Sequence, residues 1–175
     1  MSGTIKLVLV GLGLVGRRHA DVICKTKDAK LVAVVDPSED AHNYARKKSL
    51  KIYSSLEDMF IEQSPDGIIL ATPTLMHIEQ GFYCIQRNCP VMIEKPIASS
   101  SAEALALVEK SENLGVSVLV GHHRRYNPII QRASEVILSG KIGKVRAIHA
   151  NCWFYKSDEY FDAAEWRKKS GAGPI

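Results

Sequence analysis

The chain has 175 residues, of which 46% are hydrophobic and 24% are charged, and its formal net charge is +4. This length and balance predict a soluble globular protein with one full domain, or with one domain and part of a second. The basic residues occur only as short pairs and triplets without interleaved aromatic residues. The excess of positive charge therefore does not indicate a nucleic-acid-binding protein.

The N-terminal segment MSGTIKLVLVGLGLVG is apolar, but it contains several glycines and has neither a basic region ahead of it nor a small-residue cleavage site. It predicts no signal peptide and no membrane span. The four cysteines show no C-x-x-C spacing and no grouping with histidine that suits a metal; they are Cys24, Cys84, Cys89 and Cys152. They predict reduced thiols in the core of a cytoplasmic protein without a metal site.

Short apolar runs alternate with helical patterns along the first 120 residues. The expected strands are 5–10, 31–35, 67–71, 91–93 and 116–120. Continuous apolar strands that alternate with amphipathic helices indicate a mostly parallel sheet covered on both faces. The fold class is therefore predicted to be α/β, with a doubly wound parallel sheet of the Rossmann type.

Capping residues locate the expected helices between these strands. In the first helix, one face is expected to carry Val15, His19, Val22 and Ile23. The later helices are marked by Ser38, which caps a helix to about Lys47, by capping boxes at Ser54 with Glu57 and at Ser100 with Glu103, and by the helical pattern from Thr74 to Arg87.

The pattern changes after Pro128. A helix to about Leu138 and a turn at Gly140 to Gly143 precede VRAIHANCWFY, which alternates with a period of two. Such alternation predicts a half-buried strand of a different, antiparallel-type sheet. We therefore expect a first domain over residues 1–122, followed by a crossover and the beginning of a second α/β domain over residues 123–175.

Three glycines with G-x-G-x-x-G spacing lie in VGLGLVGRRHA, and Asp36 follows the next expected strand, twenty residues after Gly16. A strand before the loop, a helix after it and an acid at this distance predict a dinucleotide-binding site. Gly11 permits the tight turn, Gly13 lets the backbone approach a pyrophosphate, and Gly16 lets the helix pack on the strand. The first domain is thus predicted to bind NAD.

The helix that starts at Leu14 and Val15 would present free N–H groups and a positive dipole end to the phosphates. Asp36 would accept hydrogen bonds from the adenosine ribose and would repel a 2′-phosphate, which favours NAD over NADP. The alternative is that Asp36 and Pro37 only begin a turn and that Ser38 caps a helix. His19 is interpreted as a packed histidine of this helix.

The strand VMI ends in Glu94, Lys95 and Pro96. Ligands of open α/β sheets bind beyond the carboxyl ends of the strands, where an ammonium can stabilise negative charge that develops on a substrate oxygen as hydride leaves carbon. Lys95 is therefore the candidate catalytic residue of a nicotinamide site. The alternative is a solvated loop charge.

Four segments, GLGLVGRRH, ATPTLMH, IEKPIA and GHHRRYNP, resemble in order and spacing the glucose–fructose oxidoreductase, inositol dehydrogenase and rhizopine-catabolism (Gfo/Idh/MocA) family. The resemblance implies NAD(P)-dependent oxidation of a hydroxyl on a sugar, cyclitol or related polyol. It also implies an N-terminal Rossmann domain and a C-terminal domain with a large open sheet that commonly forms homo-oligomers. Neither a nucleic acid nor a membrane is an expected partner.

By the same resemblance, the cofactor-binding residues beyond the glycine loop and Asp36 are Thr72, Pro73, Thr74, Glu94, Lys95 and Arg125. Glu94 would lie near the nicotinamide ribose, and Lys95 would be the catalytic lysine. Arg125 would lie at the crevice between the domains, with a structural ion pair as the alternative. His77 and His122 match motif positions but also suit packing or capping, and Trp166 with Arg167 resembles a W-R element on the substrate side.

The family pattern continues past a glycine-rich stretch into a helix with an Asp and, one turn later, a His that serves as general acid/base. This sequence reaches SGAGPI at that point, so the acid/base is expected beyond Ile175. We interpret the chain as an N-terminal portion of a longer enzyme, with a natural truncation as the alternative. The competing function is a non-catalytic dinucleotide-binding module for redox sensing or regulation.

Overall fold

A computed structural model of the chain describes residues 3–162 and residue 168. The chain divides into two compact units. The first unit continues to Gly121, and the second extends from His122 to Lys168.

The first unit contains one six-stranded parallel sheet. Its strands are β1 (Ile5–Val10), β2 (Ala29–Val35), β3 (Ile52–Tyr53), β4 (Gly67–Leu70), β5 (Val91–Ile93) and β6 (Val118–Val120). The order across the sheet is β3-β2-β1-β4-β5-β6, and every neighbouring pair is parallel. This order reverses direction between β1 and β4, as in dinucleotide-binding sheets. The predicted fold class is confirmed.

Five helices connect the strands of the first unit. They are α1 (Leu14–Ile23), α2 (Glu39–Lys47), α3 (Leu56–Glu62), α4 (Thr74–Ile85) and α5 (Ser101–Leu114). Alternate residues of the strands enter two separate hydrophobic clusters. One contains buried residues of α3, α4 and α5, and the other contains buried residues of α1 and α2. Because both faces of the sheet are covered by helices, its strands are mostly apolar, with the exposed Lys6 and Lys30 near the beginnings of β1 and β2.

Two of the three predicted helix caps form at the predicted residues. The Ser38 hydroxyl accepts from the Ala41 N–H at 3.4 Å, and Ser100 with Glu103 forms both bonds of a capping box. The third cap is Ser55, which accepts from the Asp58 N–H at 3.1 Å. The expected box at Ser54 and Glu57 is therefore wrong by one residue, because either serine can provide a hydroxyl acceptor.

Other local expectations need correction. The buried residues of α1 are Gly16, Ala20 and Ile23, whereas Val15 and Val22 are exposed. Small residues face the sheet because the helix lies close to it. The two-residue strand β3 was not expected from the sequence, because so short a run carries no measurable alternation.

The second unit contains a 3₁₀ turn (His123–Tyr126), α6 (Pro128–Leu138) and α7 (Asp158–Asp162). The strand expected over residues 145–155 is not formed in the described part of the chain, and Trp153 is 90% exposed. A strand needs a neighbour for its ladder hydrogen bonds, and alternation alone does not provide one. Cys152 is also exposed, as is Cys24, whereas Cys84 and Cys89 are buried as expected.

None of the helices formed by residues 3–162 combines the length and the apolar character that a membrane span requires. The same part of the chain contains no group of three or more His, Cys, Asp and Glu side chains that could hold a metal ion.

Candidate functional site

The residues singled out in the first unit lie at one edge of the sheet. Each follows the carboxyl end of a strand: Gly11 after β1, Asp36 after β2, Thr72 after β4, Glu94 and Lys95 after β5. Because the strands are parallel, these ends all lie on the same side. The glycine loop and Thr72 flank the point where the strand order reverses, which is the usual ligand position in such sheets.

Two glycines of the loop lie where no side chain can fit. Gly11 has a φ of 91°, and a Cβ at that position would lie 2.7 Å from the Ala71 carbonyl oxygen. A Cβ on Gly16 would lie 1.9 Å from the carbonyl oxygen of Gly11. Both obstacles are backbone atoms, which cannot move without displacing β4 or the loop. The loop, α1 and the end of β4 are thereby packed directly on one another.

Gly13 differs from these two because a Cβ there would meet nothing within 4 Å. It is the N-cap residue of α1 and provides no side-chain cap, and Leu14 and Val15 beyond it are exposed. The first N–H groups of a helix have no partner within the helix. The open side of Gly13 therefore leaves space for an anion at the positive end of α1.

Asp36 is held in place by the backbone around it. Its Oδ2 accepts from the Leu12 N–H at 2.8 Å, and its Oδ1 accepts from the Ser38 N–H at 2.9 Å and from the Ser38 hydroxyl at 2.6 Å. A carboxylate can accept about four hydrogen bonds. Asp36 therefore does make the turn of the alternative interpretation, and it also keeps acceptor capacity for a ribose hydroxyl.

Arg17 supports the loop from α1. Its Nε donates to the Leu12 carbonyl at 3.0 Å, and its guanidinium pairs with Asp40 and lies 4.6 Å from the centroid of the Tyr44 ring. These contacts of Arg17 were not predicted from the sequence. These contacts join α1, the loop and α2 next to Asp36.

Glu94 has an unexpected partner in His19. His19 Nε2 on α1 lies 2.8 Å from Glu94 Oε1, and the two side chains are 25% and 14% exposed. Glu94 Oε2 accepts from the Lys95 N–H at 3.2 Å. The hydrogen bond from His19 is the main cause that lowers the pKa of the Glu94 carboxyl, and partial burial opposes this shift. His19 is thus a polar partner within the site and is not only a packed histidine.

Gly121, directly after β6, lies against the same carboxylate. Its N–H donates to the Ile93 carbonyl at 2.8 Å, and a Cβ there would lie 3.0 Å from Glu94 Oε1. No role for Gly121 was predicted from the sequence, although a glycine directly after a strand can indicate a close contact at the strand end. Glu94 is therefore confined between α1 and the end of β6.

Lys95 is exposed, and its ammonium group forms no hydrogen bond or ion pair with the residues that the structure describes. The peptide bond to Pro96 is cis. The ammonium group of Lys95 is therefore available to a ligand within the described part of the chain.

The segment after β4 lies next to this strand end. Pro73 is the N-cap residue of α4, Thr74 is buried, and the Thr72 hydroxyl donates to Gln80 Oε1 at 2.7 Å. His77, which is 1% exposed, has Nε2 at 2.8 Å from the Thr72 carbonyl and Nδ1 at 2.8 Å from the Pro96 carbonyl. His77 therefore connects the segment after β4 to the segment after β5.

The remaining residues singled out from the sequence are not brought to this edge by the first unit. Arg125 and His122 are exposed residues at the beginning of the second unit. Trp166 and Arg167 lie outside the described residues.

Comparison with known proteins identifies the class to which this fold and site belong. Residues 5–122 match the sequence model of the GFO_IDH_MocA oxidoreductase family, which has an NAD-binding Rossmann fold. The chain belongs to this family.

Similar proteins include several dehydrogenases. The chain is 30% identical over 154 residues to 4-carboxy-2-hydroxymuconate-6-semialdehyde dehydrogenase of Sphingobium, and the match covers 87% of the chain and 49% of that protein. It is 32% identical over 151 residues to the NAD(+)-dependent scyllo-inositol 2-dehydrogenase of Bacillus subtilis, covering 82% and 43%. The chain thus spans about half the length of the curated relatives it matches.

A solved structure of similar fold is the WlbA dehydrogenase from Bordetella pertussis, crystallised in complex with NADH and UDP-GlcNAcA. The TM-score is 0.91 at 29% sequence identity, and the match covers 98% of this chain and 54% of that one. The similarity therefore extends beyond the residues of the first unit.

Proposed function

We propose that the chain is the cofactor-binding part of an NAD-dependent oxidoreductase, which transfers hydride between nicotinamide and a hydroxyl carbon of a sugar, cyclitol or related polyol. The observation that carries this proposal is the exposed ammonium of Lys95, which has no partner among the described residues and lies at the end of β5 on the same edge of the sheet as the glycine loop.

The dinucleotide would lie along the carboxyl edge of the sheet. Its pyrophosphate would lie at the open side of Gly13, against the N–H groups of Leu14, Val15 and Gly16. Asp36 would accept from the adenosine ribose, and its charge would disfavour a 2′-phosphate. Thr72, Pro73 and Thr74 would line the path to the nicotinamide, whose ribose would lie near Glu94.

Lys95 would act on the substrate. When NAD is bound, nicotinamide supplies the hydride acceptor. As hydride leaves the carbinol carbon, negative charge develops on the oxygen, and the ammonium would stabilise that charge through a hydrogen bond. The hydroxyl proton must also leave, so the reaction needs a general acid/base in addition to Lys95.

Binding of the cofactor is the first test. We expect the 175-residue chain to bind NADH, as measured by nicotinamide fluorescence, and Gly13→Val to weaken binding by at least about tenfold because a branched side chain would occupy the phosphate position. Absence of NADH binding by the unmodified chain would contradict the proposal.

Turnover is the second test. Because the chain spans about half the length of its curated relatives, residues 1–175 alone should show no detectable NADH formation from polyols or sugars. Positioned proton transfer by itself contributes about 10²–10⁴-fold. A chain extended through a complete second domain should show turnover that Lys95→Met abolishes while NADH affinity changes little. If the extended chain binds NADH and turns over no polyol or sugar, the alternative of a regulatory dinucleotide-binding module gains support.

A further inference from the structure

Two histidines from distant parts of the chain contact the segment that carries Lys95, one on each side of the lysine. His19 on α1 contacts the side chain of Glu94, the residue before it. His77 on α4 contacts the carbonyl of Pro96, the residue after it. Lys95 itself has no side-chain partner among the described residues.

The contact on the Glu94 side fixes a carboxylate that in turn binds the backbone of Lys95. Glu94 Oε1 lies 2.8 Å from His19, and Oε2 accepts from the Lys95 N–H at 3.2 Å. Gly121 limits the carboxylate from a third direction, because a Cβ there would lie 3.0 Å from Oε1. Movement of the Lys95 amide away from Glu94 would break the hydrogen bond to Oε2.

The contact on the Pro96 side fixes a carbonyl through a buried ring. His77 is 1% exposed, and both its ring nitrogens lie 2.8 Å from carbonyl oxygens, those of Thr72 and Pro96. Carbonyl oxygens only accept, so a ring nitrogen of His77 bonds its carbonyl by donating the hydrogen that it carries. Hydrogen on Nδ1 therefore holds the Pro96 carbonyl.

We propose that His19 and His77 are positioning residues that hold the backbone on both sides of Lys95, so that its ammonium points to the nicotinamide end of the cofactor. The direction in which the ammonium points rests on the proposed function. The two-sided hold on the backbone does not, and it can be measured in the protein without a ligand.

Ligand binding separates positioning from general stability. ADP carries the adenosine and two phosphates but lacks nicotinamide and its ribose. We expect His19→Leu and His77→Leu to reduce the preference for NADH over ADP by about three- to tenfold, equivalent to one or two hydrogen bonds, with the Kd for ADP unchanged. Calorimetry gives both constants.

Two further variants serve as controls. Ile85→Val removes one methyl group from the core on the same helix as His77 and should leave the preference for NADH over ADP unchanged. His19→Gln keeps a donor for Glu94 and should retain more of the preference than His19→Leu. A parallel loss of NADH and ADP binding in the leucine variants, or an unchanged preference, would overturn the inference.

Nuclear magnetic resonance of the unliganded chain tests the hold on the backbone without reference to the cofactor. Nitrogen-15 spectra of His77 should show hydrogen on Nδ1, the ring nitrogen that faces the Pro96 carbonyl, and the Lys95 amide should exchange faster in His19→Leu. Hydrogen on Nε2 alone, or an unchanged exchange rate, would overturn the inference. If both signals are found but NADH does not bind, the proposed function fails while the two-sided hold stands.

Discussion

The two halves of the candidate site are held together in different ways. One half, called the adenosine half after the ligand group proposed to bind there, contains the glycine loop, Asp36 and Ser38. These residues are fixed by contacts with nearby backbone. In the lysine half, the segment around Lys95 is fixed by His19 and His77, whose partners are 75 and 19 residues away along the chain. The first half is therefore held mainly by backbone atoms, and the second is held by two histidine side chains.

This difference predicts how each half responds to substitution. A new side chain at Gly11 or Gly16 collides with backbone, which cannot adapt, so the whole first unit should lose stability. A lost side chain in the lysine half leaves the sheet intact and should change ligand binding more than folding. The following substitutions test this contrast, from the largest expected effect to the smallest.

Gly16→Ala should have the largest effect. The new Cβ would lie 1.9 Å from the Gly11 carbonyl oxygen, so α1 or the loop must move. We expect a loss of at least about 3 kcal/mol in the free energy of unfolding, measured by urea denaturation.

Gly13→Ala is the matched control, because a Cβ there meets nothing within 4 Å. Its stability should fall by no more than about 1 kcal/mol, the usual cost at an N-cap position. Equal losses for the two variants would contradict the packing described for the loop.

Asp36→Ala should change the choice of cofactor. Removing the carboxylate removes both an acceptor for the ribose and the repulsion of a 2′-phosphate, so the preference for NADH over NADPH should fall by about tenfold or more. Ser38→Ala removes one donor to Asp36, the Ser38 hydroxyl, but keeps the charge of the carboxylate, and it should retain most of the preference. A preference that survives in Asp36→Ala would assign the discrimination to other residues.

Gly121→Ala should act through Glu94. The added Cβ would lie 3.0 Å from Glu94 Oε1 and 3.3 Å from its Cα, and the carboxylate is held by His19. We expect a loss of about 1 kcal/mol in unfolding free energy, together with weaker NADH binding. Gly67→Ala, whose Cβ would meet Leu7 Cδ2 at an ordinary 3.4 Å, should affect NADH binding less.

The smallest effect concerns pH. Because the pKa of the Glu94 carboxyl is lowered in the folded state, this group stabilises the fold at pH values above the usual carboxyl pKa. The stabilisation is lost as the pH falls through the lowered pKa. His19→Leu removes the main cause of the shift. The difference in unfolding free energy between wild type and variant should therefore shrink by on the order of 1 kcal/mol or less on acidification from neutral pH. A difference that grows towards acid pH would have the wrong sign.

The order and type of the main elements in the first unit could be predicted, because apolar runs and capping residues are local signals. The inward face of α1 could not be predicted, because α1 lies close to the sheet and only small side chains fit between them. Gly16 and Ala20 therefore face the sheet, and Val22 is exposed. The strand expected over residues 145–155 failed for another reason. Its alternation describes two faces but does not supply the neighbouring strand that a ladder requires.

The candidate site could likewise be predicted only in part. Gly11, Gly16 and Asp36 could be recognised because a short spacing fixes their geometry. The contact between His19 and Glu94 could not be recognised, since nothing in either segment specifies a partner 75 residues away. Both ends of that contact were visible as motif residues, but their pairing depends on the parallel order that places β5 beside β4 and β4 beside β1.

The three hydrogen bonds that Asp36 accepts have a consequence for the entropy of binding. A free carboxylate on the surface samples several rotamers, and a ligand that needs one of them must bear the cost of freezing the side chain. Leu12 and Ser38 already select one rotamer of Asp36 during folding. The proposed recognition of the ribose would therefore need no reordering of Asp36, and the loss of conformational freedom would fall on the ligand and not on this side chain.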